Sequence, residues 1–201
     1  MDELIGMLYG RFMELTDGKG LFLTLSDHGF TELKQEVYIN AWLRKQGFLT
    51  LDPAREYYEQ VGAGTQAFAL DPARIYINLE NKYPRGAVKT AAKNGLVARI
   101  RAELESFSDE QGNPVIKAVY EGSDIYHGAA LERAPDLVCL SHDGYDLKGT
   151  LKKPEIFGSG HFTGMHTRSD AHCILPEALQ PGGRLHIEHL AGFILDRIVS
   201  S

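Results

Sequence analysis

Apolar residues recur at helical spacing from the start of the chain, at Leu4, Ile5, Leu8, Phe12 and Leu15, behind acidic Asp2 and Glu3. This predicts an amphipathic helix over Asp2 to Leu15 that delivers one face to a sheet. Asp17-Gly18-Lys19-Gly20 follows as a turn. Leu21 to Leu25 reads as a short buried strand, broken off by Ser26-Asp27-His28-Gly29. The apolar positions Val37, Ile39, Ala41, Trp42 and Leu43 lead into Arg44-Lys45-Gln46 and then Gly47, which stands where a helix ends. Leu49-Thr50-Leu51 suits a short strand. Asp52-Pro53-Ala54-Arg55 suits a helix start, with Pro53 at its first position. Tyr57 and Tyr58 read as packing residues.

Farther along, Ala67 to Leu70 and Ile75 to Leu79 read as strands around an Asp-Pro turn at Asp71 and Pro72. Asn81 to Gly86 is a polar loop. Ala87 to Ser106 is a helix with Leu96, Ile100 and Leu104 on one face and Arg99, Arg101, Glu103 and Glu105 on a solvated one. Asp109 to Pro114 is a loop, and Val115 to Tyr120 and Pro135 to Leu140 are strands. Ser141 to Thr163, rich in Gly, His and Asp, reads as loop. Ile174-Leu175-Pro176 is a last strand edge, and Leu185 to Val199 is a helix through Ile187, Leu190, Ile194 and Ile198. Helix, tight turn and buried strand in succession predict an α/β fold. The expected architecture is a mostly parallel doubly wound sheet with an inserted α+β lobe. The division expected is a core over 1–60, a variable lobe over 61–126, and a return to the core over 127–201.

Composition narrows this picture. With 201 residues, 43% hydrophobic and 24% charged, the chain can bury one good core. A formal charge of −6 without a clustered Lys/Arg stripe offers no field for nucleic acid. Cys139 and Cys173 stand in separate apolar runs without Cys-x-x-Cys spacing, which points to buried thiols in a reducing compartment. No apolar run approaches the roughly 20 residues that a membrane span needs, and no signal pattern opens the chain. A cytoplasmic chain without a membrane partner is the expectation.

Two stretches carry candidate chemistry. Asp27 and His28 are ordinary oxygen and nitrogen donors for zinc or manganese. On a regular strand they would face opposite ways, but both could turn inward if the strand ends there and Gly29 permits a sharp exit. The alternative is that Asp27 caps the turn and His28 is an ordinary loop histidine. The second stretch, Gly160 to His172, holds His161, His166 and His172, at spacings that name no metal; the alternative there is a solvated polar loop. His127, His142, His186 and His189 are scattered, as surface or capping residues are. Val61-Gly62-Ala63-Gly64-Thr65 is not a phosphate loop, since it lacks Gly-Lys-Ser/Thr.

The ordered set of motifs resembles the alkaline phosphatase superfamily, in its type I phosphodiesterase/nucleotide pyrophosphatase-like branch. It comprises Leu23-Thr24-Leu25-Ser26-Asp27-His28-Gly29-Phe30, Val37 to Leu43 leading into Gly47-Phe48-Leu49, and Ala69-Leu70-Asp71-Pro72 with Arg74 to Leu79. Ala134-Pro135-Asp136-Leu137-Val138 and Gly164-Met165-His166 complete it. The resemblance covers about residues 2 to 180. It implies a metal-dependent phosphoester hydrolase, a phosphodiesterase or phosphomutase, with two divalent ions (zinc or manganese) and a phosphoester small-molecule substrate. It also implies that Asp27 and His28 bind one ion and His166 the other, with His161 the fallback for His166. Thr167 and Ala171 depart from the branch's commoner His-Arg-x-x-Gly.

The larger departure lies upstream. The family places an Asp ligand, a Thr or Ser nucleophile and an Asp-x-x-x-His pair before the Asp-His-Gly motif. Here Asp2 and Asp17 are the only aspartates before Asp27, and neither is followed four residues later by His. The resemblance therefore implies a C-terminal portion that lacks the nucleophile and half of the metal ligands, inactive alone and with a partial or empty metal site. A non-catalytic binding or assembly domain on the same fold is the alternative. Missing neighbours of the Leu21 to Leu25 strand would leave an exposed sheet edge, so a homodimer is expected.

Overall fold

The computed structural model describes residues 1–70, 72–176, 183 and 186–199, without the side chains of 197–199. Asp71 of the expected Asp-Pro turn, and Leu185 and the Ile198 side chain of the expected tail helix, lie outside the described residues. In chain order the elements are α1 (Asp2–Leu15), β1 (Thr24–Leu25), β2 (Gly29–Glu32), β3 (Gln35–Tyr38), α2 (Ile39–Lys45), β4 (Ala67–Leu70) and β5 (Arg74–Ile77). They continue with α3 (Lys93–Glu105), β6 (Ile116–Glu121), α4 (Gly122–Ile125), β7 (Leu137–Ser141), β8 (Tyr145–Lys148), β9 (Phe157–Gly158), β10 (Gly164–Thr167), β11 (Cys173–Ile174) and α5 (Ile187–Val199). The chain divides into two units, one of Met1–Phe30 with His166–Ser201 and one of Thr31–Met165.

The second unit holds the main core. Its sheet runs β4-β5-β7-β6, with every neighbouring pair antiparallel. A smaller sheet sets β3 between parallel β8 and antiparallel β9. Alternation along β4 and β5 sends Ala67, Ala69, Ile75 and Ile77 inward, where they meet Leu137 of β7 and Val97, Ile100 and Leu104 of α3. Trp42 of α2 packs on Phe48 and Phe107, with ring centres 6.2 and 5.9 Å apart. Gly47, at φ +79°, ends α2 as expected.

Buried polar groups tie these layers together. Asn40 of α2 donates from Nδ2 to the carbonyls of Ala69 (2.9 Å) and Gly149 (2.6 Å) and accepts from the Ala69 amide at 2.8 Å. Asp136, just before β7, accepts the Ile77 amide at 2.7 Å and pairs with Lys93 Nζ at 2.6 Å. A carboxylate this buried is tolerable because both oxygens are engaged.

Among the described residues the expected doubly wound parallel sheet is not present. Parallel neighbours need a crossover of a dozen or more residues, usually helical, and helices on both faces. Residues 71–73 alone join β4 to β5, which allows only a hairpin. Between β6 and β7 the described helices are the four-residue α4 and a short 3-10 turn at Leu131–Arg133. The apolar run at Leu137 to Leu140 reads like a buried parallel strand, but it is the third strand of an antiparallel sheet.

Other expectations change locally. Asp52-Pro53-Ala54-Arg55 forms a turn, with Asp52 accepting from the Ala54 amide and from Arg55 Nε, and a 3-10 turn follows at Tyr57–Gln60. The stretch read as loop after Ser141 contains β8 and β9. β8 does alternate, with Tyr145 and Leu147 buried and Asp146 paired with Lys148 at 2.6 Å on the other face, but four residues are a short signal in a stretch rich in Gly and His.

In the first unit, α1 has the expected bounds but buries none of its residues, and Leu4, Met7, Leu8 and Leu15 are all exposed. Its aromatic contacts are local: Phe22 meets Tyr9 and Phe12 at 5.5 and 5.6 Å. The expected buried strand at Leu21 to Leu25 shrinks to β1, paired antiparallel with two-residue β11, and Leu21 and Leu25 are exposed. Cys139 is buried as expected, but Cys173 in β11 is exposed. Among the described residues no helix is long and apolar enough to cross a membrane.

Candidate functional site

The cluster forms because two short ladders bring residues 24–30 and 166–174 together within the first unit. β1 pairs with β11, Leu25 opposite Cys173. Ser26 extends the pairing: its amide donates to the His172 carbonyl at 2.9 Å, and its Oγ accepts from the His172 amide at 2.9 Å. The chain then bends through Ser26, Asp27 and His28 into β2, which pairs with β10.

Gly29 is needed here for close approach, not for the conformational freedom that its sequence context suggests. Its φ is not positive. A Cβ on it would collide with the Ser169 carbonyl and the Thr167 hydroxyl. That hydroxyl is itself placed, since Thr167 is buried and donates to the Ser169 carbonyl at 2.8 Å.

Asp27 and His28 face each other across the bend. Asp27 Oδ1 lies 3.3 Å from His28 Nε2. His28 Nδ1 lies 2.9 Å from the Gly29 carbonyl. A carbonyl only accepts, so Nδ1 carries the proton there, and Nε2 is the ring nitrogen that faces Asp27. A lone pair and a carboxylate oxygen at that distance repel unless a second proton or a cation stands between them. His166 stacks on the His28 ring, with centres 3.8 Å apart and planes 24° apart. Phe30 flanks His166 at 6.1 Å.

These positions test what the residues could hold. Adjacent donors in a tetrahedral site with bonds of about 2.0–2.1 Å lie roughly 3.3–3.4 Å apart. The Asp27–His28 pair therefore matches one edge of such a site, and a backbone carbonyl on the far ring nitrogen is the usual orienting partner of a ligating histidine. A histidine binds an ion in the plane of its ring. Nearly parallel stacked rings cannot both do so for one ion, so His28 and His166 would serve different ions. Asp27 is largely exposed, and among the described residues no group of three or more His, Cys, Asp or Glu side chains is arranged to hold an ion. The donors fit in kind and in pairwise spacing, but not as a closed site.

His161 belongs to the second unit, whereas the cluster is built within the first. His172 joins the cluster through its backbone, and with Asp27, Cys173 and His186 it lines a small cavity of about 120 Å³. Reasoning from sequence missed three supports of the cluster, namely Ser26, Thr167 and the Ser169 carbonyl. The signal for them was only that small hydroxyl residues flank both histidine motifs.

A family model described as type I phosphodiesterase / nucleotide pyrophosphatase matches residues 1–168. Comparison with curated proteins and with solved structures gave no match.

Proposed function

Because the chain belongs to the type I phosphodiesterase/nucleotide pyrophosphatase family, we propose that Asp27, His28 and His166 are metal-side donors of a phosphoester-hydrolysing centre. The family is generally metal-dependent and acts on phosphoester small molecules. The observation that carries the residue assignment is the geometry of the Asp27–His28 pair, whose 3.3 Å separation suits one divalent ion. Two divalent ions held there, zinc or manganese, would stabilise the attacking and leaving oxygens of a phosphoryl displacement.

Each residue then has a stated task. Asp27 supplies one carboxylate oxygen and neutralises charge. His28 supplies Nε2, oriented by its Nδ1–H bond to the Gly29 carbonyl. His166 supplies a nitrogen to the second ion, its ring steadied by His28. The 61–126 segment, as a variable lobe, selects the substrate. Three donors cannot complete two sites, and no nucleophile stands among these residues, so the chain alone binds ions weakly and does not turn over. The choice between hydrolase and phosphomutase rests with the residues that complete the centre.

The test combines binding and turnover. With zinc or manganese added, orthophosphate is expected to bind the chain, and Asp27→Ala to abolish that binding. Hydrolysis of a 4-nitrophenyl phosphate diester is expected to stay at background. Phosphate binding that ignores Asp27→Ala contradicts the donor assignment. A robust metal-dependent rate from the purified chain contradicts the incomplete centre.

The exposed apolar face of α1 favours a second reading, a non-catalytic domain that keeps the fold for assembly. Self-association without metal-dependent phosphate binding would select it.

A further inference from the structure

Tyr57 and Tyr58 do not pack as their sequence context suggests: they are 72% and 57% exposed. Tyr57 sits at φ +51°, in the left-handed region that bulky residues seldom enter. With Tyr38, Lys152 and Lys153 the two tyrosines line a cavity of about 470 Å³ in the second unit, a size that suits a small molecule. Lys153 Nζ stands 5.3 Å from the centre of the Tyr38 ring, and Lys152 Nζ 5.8 Å from that of Tyr57.

Charge is unevenly satisfied on this wall. Lys148, which also lines it, is committed to Asp146 at 2.6 Å. Glu36, the one carboxylate on the wall, accepts the Tyr38 hydroxyl at 2.5 Å. Among the described residues no carboxylate pairs with Lys152 or Lys153. In a chain of net charge −6, two adjacent ammonium groups left without carboxylates over aromatic rings form a local positive site.

We infer that this cavity binds an oxyanion carried on a planar ring, an aryl phosphate or an aryl carboxylate. The oxyanion lies on Lys152 and Lys153, and the ring lies on Tyr57 or Tyr58. A bare oxyanion fits less well, because two flexible lysines lack the fork of an arginine and hold a small anion weakly in water. The exposed rings supply the remaining contact area. Cation–π pairing within the protein does not account for the site, since the Tyr58 ring has no aromatic or cationic partner among the described residues. The inference does not depend on the metal donors, none of which lines this cavity.

The test is titration of the purified chain with phenyl phosphate and with benzoate, in EDTA, by calorimetry. Saturable binding of at least one is expected, weakened about tenfold by the double variant Lys152→Ala/Lys153→Ala and about tenfold by Tyr57→Asn/Tyr58→Ala. Asn tolerates the positive φ, so the second variant keeps the turn. Lys152→Arg/Lys153→Arg should retain binding, with circular dichroism unchanged in all three. Preference for phenyl phosphate or for benzoate identifies the oxyanion, and either supports the site. It is overturned if neither ligand saturates, if binding survives Lys152→Ala/Lys153→Ala, or if orthophosphate binds as tightly as phenyl phosphate. With metal chelated, failure here leaves the proposed phosphoester centre untouched.

Discussion

Single side chains set the chemistry of this protein through what their second polar atom touches. His28 is the clearest case, because the Gly29 carbonyl takes one ring nitrogen and so decides which one faces Asp27. Asp109 shows the same logic in the second unit. The Tyr145 hydroxyl donates to it at 2.6 Å, and Asn113 adds further hydrogen bonds. Together they lower the Asp109 carboxyl from 3.8 to about 2. A depressed carboxyl contributes stability above its unfolded value, and that stability is lost as pH falls through the folded one. Tyr145→Phe is therefore expected to lower urea stability at neutral pH. The deficit should shrink as pH falls from about 4 to about 2. A deficit that stays constant down to about pH 3 would show that the hydroxyl does not act through Asp109.

At the scale of elements, helices announced themselves better than sheets. Ile100 and Leu104 both lie on the buried face of α3, and Gly47 ends α2 where its spacing suggests. The Asp-His-Gly stretch was legible because three chemically distinctive residues stand together. The pairing of β1 with β11 was not, since residues 24–25 and 173–174 carry no mutual signal along the chain. Nor was sheet direction, because hydrophobic runs report burial and not the sense of the neighbouring strand. Asn40 illustrates what a sequence hides: a polar residue inside an apolar stretch that serves two backbone segments at once. Asn40→Ala leaves buried backbone groups unsatisfied and is expected to cost about 3 kcal/mol in urea unfolding. A loss within a few tenths would mean that water replaces the side chain.

For the whole molecule, the units differ in how much apolar surface they keep. The second unit buries a continuous core, whereas the first leaves Leu4, Met7, Leu8, Leu21 and Leu25 exposed. Exposed apolar surface beside short, open strand edges favours association. Light scattering is expected to find a concentration-dependent dimer or larger species, disrupted by Leu4→Lys/Leu8→Lys in α1. A monodisperse monomer at high concentration would contradict this.

The most direct measurement is the zinc or manganese held by the purified chain, by equilibrium dialysis with elemental analysis, beside Asp27→Ala, His28→Ala and His166→Ala. Weak, saturable binding that falls in the first two variants together is expected. His166→Ala should leave that ion in place and remove only what binds beyond it. Equal binding in all four proteins, or none in any, would contradict the assignment of Asp27 and His28 to one ion and His166 to another.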